Sequence, residues 1–198
     1  MTSELFLQYL VAGITYGSIY TVVAIGFNII YNTTGIINFS QGEFVMLGGM
    51  VAITLHNFMA LPLAILLAVL ITMAVGAAIE MLFIRRLRSP SVLRMIIVTI
   101  GVSILIREVA LHLWGSGVRS LPYFIGNEIT TIKLGPVFVS PQVLWVVGTC
   151  LVMVVLLLLF FQATSLGREM RACAANRVAA VLCGIETRNM VTLSFVLS

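Results

Sequence analysis

Charge is scarce in this chain of 198 residues: 9% of positions are charged, where a soluble globular domain carries about 25%. Lysine is almost missing, since ten of the eleven cations are arginines and Lys133 stands alone. A P-loop, G-x-x-x-x-G-K-[ST], needs that lysine in a glycine-rich setting. Lys133 instead sits in Thr131-Ile132-Lys133-Leu134, so no ATPase site is expected here. The two histidines, His56 and His112, form no HExxH, which leaves a catalytic zinc without ligands. The three cysteines, Cys150, Cys173 and Cys183, make no CxxC and no even framework, and structural disulfides are not expected. No serine lies in a GxSxG. No cationic stretch precedes the first apolar run, which is too long for a signal sequence and reads as an uncleaved first span.

What is there is apolar: 61% of residues are hydrophobic and the mean hydropathy is +1.15. Such a composition cannot cover a water-facing surface. A soluble enzyme, a disordered region and a secreted disulfide scaffold all fit poorly, and the bilayer is the natural solvent. The net charge of +4 does not point to nucleic acid, because the arginines bracket apolar runs as topology signals do.

A span needs about 20 apolar residues. Candidates cover about 5–31, 42–57, 61–84, 92–114 and 141–161, and a further run begins at 190 and reaches Ser198. The second is short and is expected to be tilted, broken or sheltered. The last would rise only about 13 Å, so the chain is expected to be a truncated reading of a longer protein. The fold expected is an all-α polytopic helical bundle in a single transmembrane domain, with about five complete spans plus the start of a sixth. Arg85, Arg86, Arg88, Arg94, Arg168, Arg171, Arg177 and Arg188 fall in loops on one side, which is 8 of the 11 cations. The excess of cations on the cytoplasmic side then puts the N-terminus outside.

Three places carry polar chemistry. Between the first two spans, Ser40 and Glu43 have the S-x-x-E spacing of a capping box. The sharper reading is a broken helix whose polar groups line a pathway; from spacing alone, capping is the expectation. In the fourth span Thr99, Ser103 and Arg107 recur at i, i+4 and i+8, hence on one face. A cation there marks either a functional site or an arginine that snorkels and pairs locally with Glu108 or His112; the local pairing is expected. Glu80, at the inner end of the third span, is expected to be neutralised by Arg85 or Arg86. Gly13 and Gly17, like Ala74 and Ala78, have the spacing of helix-packing small residues.

The loop of residues 162–189 is long for a link between spans. Met170, Ala174, Val178, Val181, Leu182 and Ile185 follow helical spacing, with Gly184 as the expected stop. Such a helix lies on anionic lipid or docks in a partner's groove. Its alanines and lack of lysine favour the partner.

These residues resemble a known family. Gly13-Ile14-Thr15-Tyr16-Gly17-Ser18-Ile19-Tyr20, Ala24-Ile25-Gly26, and Thr34-Gly35-Ile36-Ile37-Asn38-Phe39-Ser40-Gln41-Gly42-Glu43 with Met46-Leu47-Gly48 are similar to the opening of LivH-type permeases. Those are the membrane subunits of branched-chain amino acid ABC importers. Gly167-Arg168-Glu169-Met170-Arg171-Ala172-Cys173-Ala174, Asn176-Arg177-Val178-Ala179-Ala180 and Gly184-Ile185 resemble the E-A-A-x-x-x-G coupling loop of ABC permeases. Val178 departs from it, standing where Glu is usual.

The resemblance implies a permease without an ATPase site or cofactor of its own, in a bacterial inner membrane. It would work with two cytosolic ATP-binding subunits, a second permease subunit and an extracytoplasmic substrate-binding protein. The implied coupling residues are Gly167, Arg168, Arg171, Ala172, Asn176, Ala179, Ala180 and Gly184. Candidate pathway residues are Asn38, Gln41, Glu43, Thr99 and Ser103. Alternatives are a urea or short-amide permease of the same family, an ion-coupled secondary transporter, and a non-transporting membrane scaffold.

Overall fold

A computed structural model describes residues 2–87, 91–122, 132–134 and 137–198; Arg88, one of the topology arginines, lies outside them. Helix α1 (Thr2–Thr34) is unbroken because its hydroxyls turn inward on their own backbone. Thr15, Ser18, Thr21, Thr33 and Thr34 each donate to the carbonyl four residues earlier, which satisfies them without water. Gly35 ends the helix at φ +73°, a left-handed conformation that glycine adopts at little cost. Then come α2 (Gln41–His56), α3 (Leu61–Ile79) and α4 (Val92–Trp114). Pro62 sits in the first turn of α3, where its missing N–H costs nothing. The end of α3 widens into a π-helical turn, Glu80–Ile84.

A small antiparallel ribbon that the sequence did not reveal, β1 (Ile132–Leu134) and β2 (Val137–Val139), precedes α5 (Pro141–Ala163). Three short helices follow: α6 (Ser165–Ala175), α7 (Arg177–Leu182) and α8 (Thr187–Leu197). The 167–184 stretch is therefore two helices and not one. Asn176 at φ −158°, ψ 105° breaks it, and its side chain caps α7 by accepting from the N–H groups of Val178 and Ala179.

Among the described residues four helices are long and apolar enough to cross a membrane: Leu5–Thr34, Leu61–Ile84, Val92–Trp114 and Pro141–Ala163. Helix α2 is the exception. Its 16 residues rise about 24 Å against about 30 Å of hydrocarbon. Residues 35–40, which lead into it, are not helical. Ser103 donates to Glu43 and Trp114 to Thr54, and both contacts span 60 residues. Helices α2 and α4 thus run side by side in the same direction, and α2 begins level with the middle of α4. Below that point Ile36, Ile37 and Asn38 border a small cavity with Met95 and Thr99 of α4. The segment is thus irregular over residues 35–40 and helical from Gln41, and the fifth complete span expected from the sequence is not among the four long apolar helices.

Helix α8 packs on α1, α3 and α6, and two glycines admit it. A Cβ on Gly76 would stand 2.6 Å from the Phe195 carbonyl oxygen, and one on Gly26 would stand 2.7 Å from that of Ser198 and strike the Gln41 amide. The small pairs singled out by spacing do no such packing within this chain. Nothing lies within 4 Å of a Cβ built on Gly13 or Gly17, and Ala74 and Ala78 are exposed. Spacing identifies faces on which helices could meet, but only the tertiary arrangement decides which are used.

Candidate translocation and coupling sites

Among the described residues one ion pair forms, between a buried carboxylate of α2 and an exposed arginine of α4. Glu43, in the first turn of α2, is 8% exposed. Arg107 Nη2 donates to its Oε1 over 2.8 Å, and Ser103 Oγ donates to the same oxygen over 3.1 Å. The expected capping box is not formed. Ser40 Oγ donates to Asn38 Oδ1 over 2.6 Å, so the hydroxyl is taken, and no side-chain bond caps the helix. Glu43 turns away from its own helix end because a carboxylate at this depth is costly without a cation. Arg107 likewise pairs across to α2 and not with Glu108 or His112. The structure therefore brings together Glu43 and Ser103 of the pathway candidates, and adds Arg107.

Asn38, Gln41 and Thr99 are the remaining pathway candidates. All three are buried, Asn38 and Thr99 bordering the small cavity. Gln41 Nε2 donates to the Ser198 carbonyl over 3.0 Å. Two buried polar atoms here have no partner, Asn38 Nδ2 and Gln41 Oε1. An orphan donor and an orphan acceptor among the described residues thus stand at the start of α2.

Glu80 is 1% exposed and is not ion-paired with Arg85 or Arg86. Its Oε2 accepts instead from Thr192 Oγ1 of α8, over 2.7 Å, a partner 112 residues away that no local pattern could announce.

At the arginine-rich end, α6 sits directly on the last turn of α5. Thr164 caps α6 by accepting from Gly167 N–H over 3.0 Å. A Cβ on Gly167 would meet the Phe160 carbonyl and stand 2.6 Å from the Phe161 Cα. Arg168 donates to the Ala163 carbonyl. Met170, Cys173 and Ala180 are buried in a cluster with Ile29 and Met190. Gly184, at φ +83°, closes α7. Its N–H bonds to Val181 and that of Ile185 reaches back to Ala180, both over 3.0 Å, the glycine-terminated geometry that uses up the last carbonyls. Of the remaining expected residues, Ala172 is half-buried, and Arg171, Asn176 and Ala179 are exposed. Outward of this frame α7 presents bare apolar side chains: Val178 is 73% exposed, Val181 55% and Leu182 84%.

A family model described as "Branched-chain amino acid transport system / permease component" matches residues 9–198. The chain belongs to this family. Among curated proteins it is 37% identical to the "High-affinity branched-chain amino acid transport system permease protein BraD" of Pseudomonas aeruginosa, over 97% of this chain. It is 30% and 32% identical to the like-named LivH proteins of Salmonella typhimurium and Escherichia coli, again over 97% of this chain. The chain spans 66% of the length of each of these relatives. No solved structure matches it significantly.

The permease thiols differ in environment. Burial pushes the Cys173 thiol up from its ordinary value; the Arg177 charge pulls it down and the Glu169 charge raises it further. A raised thiol is less ionised near neutral pH, and the thiolate is the reactive form. Cys183 is exposed. A maleimide is therefore expected to modify Cys183 first at neutral pH, and Cys173 slowly and faster as pH rises. Peptide mass spectrometry of timed samples checks this, and equal rates at both thiols would contradict the buried seat of α6.

Proposed function

We propose that this chain is the membrane-spanning permease subunit of an ABC importer that moves branched-chain amino acids across the plasma membrane. Two separate cytosolic ATP-binding subunits drive it, a second permease subunit pairs with it, and an extracytoplasmic binding protein delivers the solute. The chain itself holds no cofactor. The N-terminus lies outside, and the end bearing Arg85, Arg168, Arg177 and Arg188 faces the cytosol.

The observation that carries this reading is the exposed apolar triad of α7 on a rigid seat. Three apolar side chains exposed together on a six-residue helix form a patch that suits a protein partner. Asn176 fixes one end of that helix and Gly184 the other, while α6 is joined to α5 by backbone-to-backbone contact at Gly167. A push on α7 is thus passed to a membrane helix with little slack. Swinging an inward–outward equilibrium from 1:99 to 99:1 takes about 5.5 kcal/mol, which a docked, capped helix transmits and a loose one dissipates.

The pathway reading rests on the irregular lead into α2. Asn38 Nδ2 offers a donor and Gln41 Oε1 an acceptor, beside the positive end of the α2 dipole. A zwitterion needs these two functions for its carboxylate and its ammonium. The same amides suit urea or a short amide, so leucine and urea should be compared as competitors for uptake. The test of the coupling surface is Leu182→Asp in the full-length protein reconstituted with its ATP-binding subunits. Transport is expected to fall by about tenfold or more, as for loss of an interface anchor. Unchanged uptake at unchanged ATP hydrolysis would refute the assignment.

A further inference from the structure

Between the last thirds of α1 and α5, and closed at one end by α6, lies a groove of about 370 Å³. Its deeper walls are apolar, with Ile25 of α1 and Leu157 and Leu158 of α5. All its strongly polar groups are gathered toward the end where α1 and α5 terminate: Asn28, Asn32 and Arg171. Asn32 Nδ2 donates to Asn28 Oδ1 over 2.9 Å, and the amide hydrogens of Asn28 have no partner among the described residues. The Arg171 guanidinium makes no hydrogen bond or ion pair among those residues. These amide and guanidinium donors at one end of an apolar groove suit an acceptor bearing negative charge.

We propose that this groove holds an anionic phospholipid, its phosphodiester on Arg171 and Asn32 and one acyl chain along Ile25, Leu157 and Leu158. Under the topology proposed above, this is the cytoplasmic leaflet. The polarity gradient has the direction of a lipid in that leaflet, head at the helix ends and tail toward the centre. From Ile25 to Asn32 the helix rises about 10 Å, within the roughly 15 Å thickness of one leaflet's hydrocarbon. A partner helix would instead meet a face with an uncompensated cation at one end. The lipid would brace α6, and with it α7, against the bundle.

The experiment places the full-length protein in phosphatidylcholine nanodiscs with and without phosphatidylglycerol, and counts retained phosphatidylglycerol by native mass spectrometry. Arg171→Gln is expected to lower retention about fivefold, the weight of one interfacial cation. Arg171→Lys should keep most of it, Asn28→Leu should lower it, and Arg86→Gln, elsewhere on the same side, should leave it unchanged. Equal retention in the wild type and Arg171→Gln would overturn the proposal. So would displacement of phosphatidylglycerol by millimolar inorganic phosphate, which would assign the cationic end to a free anion. A photoreactive side chain at Leu158 that cross-linked to protein and not to lipid would overturn it too.

Discussion

Arg107→Leu is expected to cost the protein transport and part of its stability together. The substitution leaves Glu43, 8% exposed, with the Ser103 hydroxyl as its one remaining partner. Breaking a buried pair from one side costs about 3–5 kcal/mol. Only Glu43 is buried here, the Arg107 side chain being 63% exposed, so the cost falls below that range, to about 1–2 kcal/mol. Thermal unfolding in detergent should show a clear fall in midpoint. Glu43→Gln combined with Arg107→Leu removes both charges and should recover most of that stability, leaving a neutral amide for Ser103. Uptake should not recover, because the proposed pathway has then lost its ionic lining. If the single and double variants were equally stable, the pair would be a surface contact of little weight.

Gly167→Val is the second large effect, and it acts on coupling. The added Cβ meets the Phe160 carbonyl and comes 2.6 Å from the Phe161 Cα. Both are main-chain atoms, so no side chain can swing aside, and α6 must lift from α5. The spanning helices are untouched, so the protein should still insert and fold. Coupled uptake should fall by about a hundredfold, in line with a misplacement of about 1 Å in a geometry-dependent site. ATP hydrolysis by the attached subunits should persist without transport. Gly167→Ala also carries that Cβ and should show the same defect more mildly, whereas Gly13→Ala, with open space around it, should change neither readout. Full coupling in Gly167→Val would mean that α6 does not transmit force.

The elements were legible where hydrophobic length decides them. Helices α4 and α5 begin at Val92 and Pro141, where the apolar runs were expected to begin, each capped by the preceding serine, and the third apolar run ends at Ile84 as read, though its last turn is π-helical. The second run was legible as a short helix, Gln41–His56. What short-range pattern could not show is where its polar groups go. Ser40 and Glu43 have perfect capping-box spacing, yet a cation 64 residues away and an asparagine two residues away outbid the helix end. Glu80 followed the same logic, taking Thr192 over nearby arginines. The break at Asn176 was hidden because apolar spacing runs through it, although asparagine before Arg177 and Val178 is a usable cap signal. Gly26, Gly76 and Gly167 stood in the sequence without distinction, since their role depends on which backbone arrives opposite them.

The pairing of α2 with α4 also sets an order of events at biosynthesis. Glu43 leaves the ribosome 64 residues ahead of Arg107, which at about 5–20 residues per second is a wait of roughly 3–13 s. During that interval a short, acid-bearing segment has no counter-ion and too little apolar length to stay in lipid alone. Entry of α2 together with α3, against which it packs, as a hairpin would bridge that wait until α4 brings its arginine.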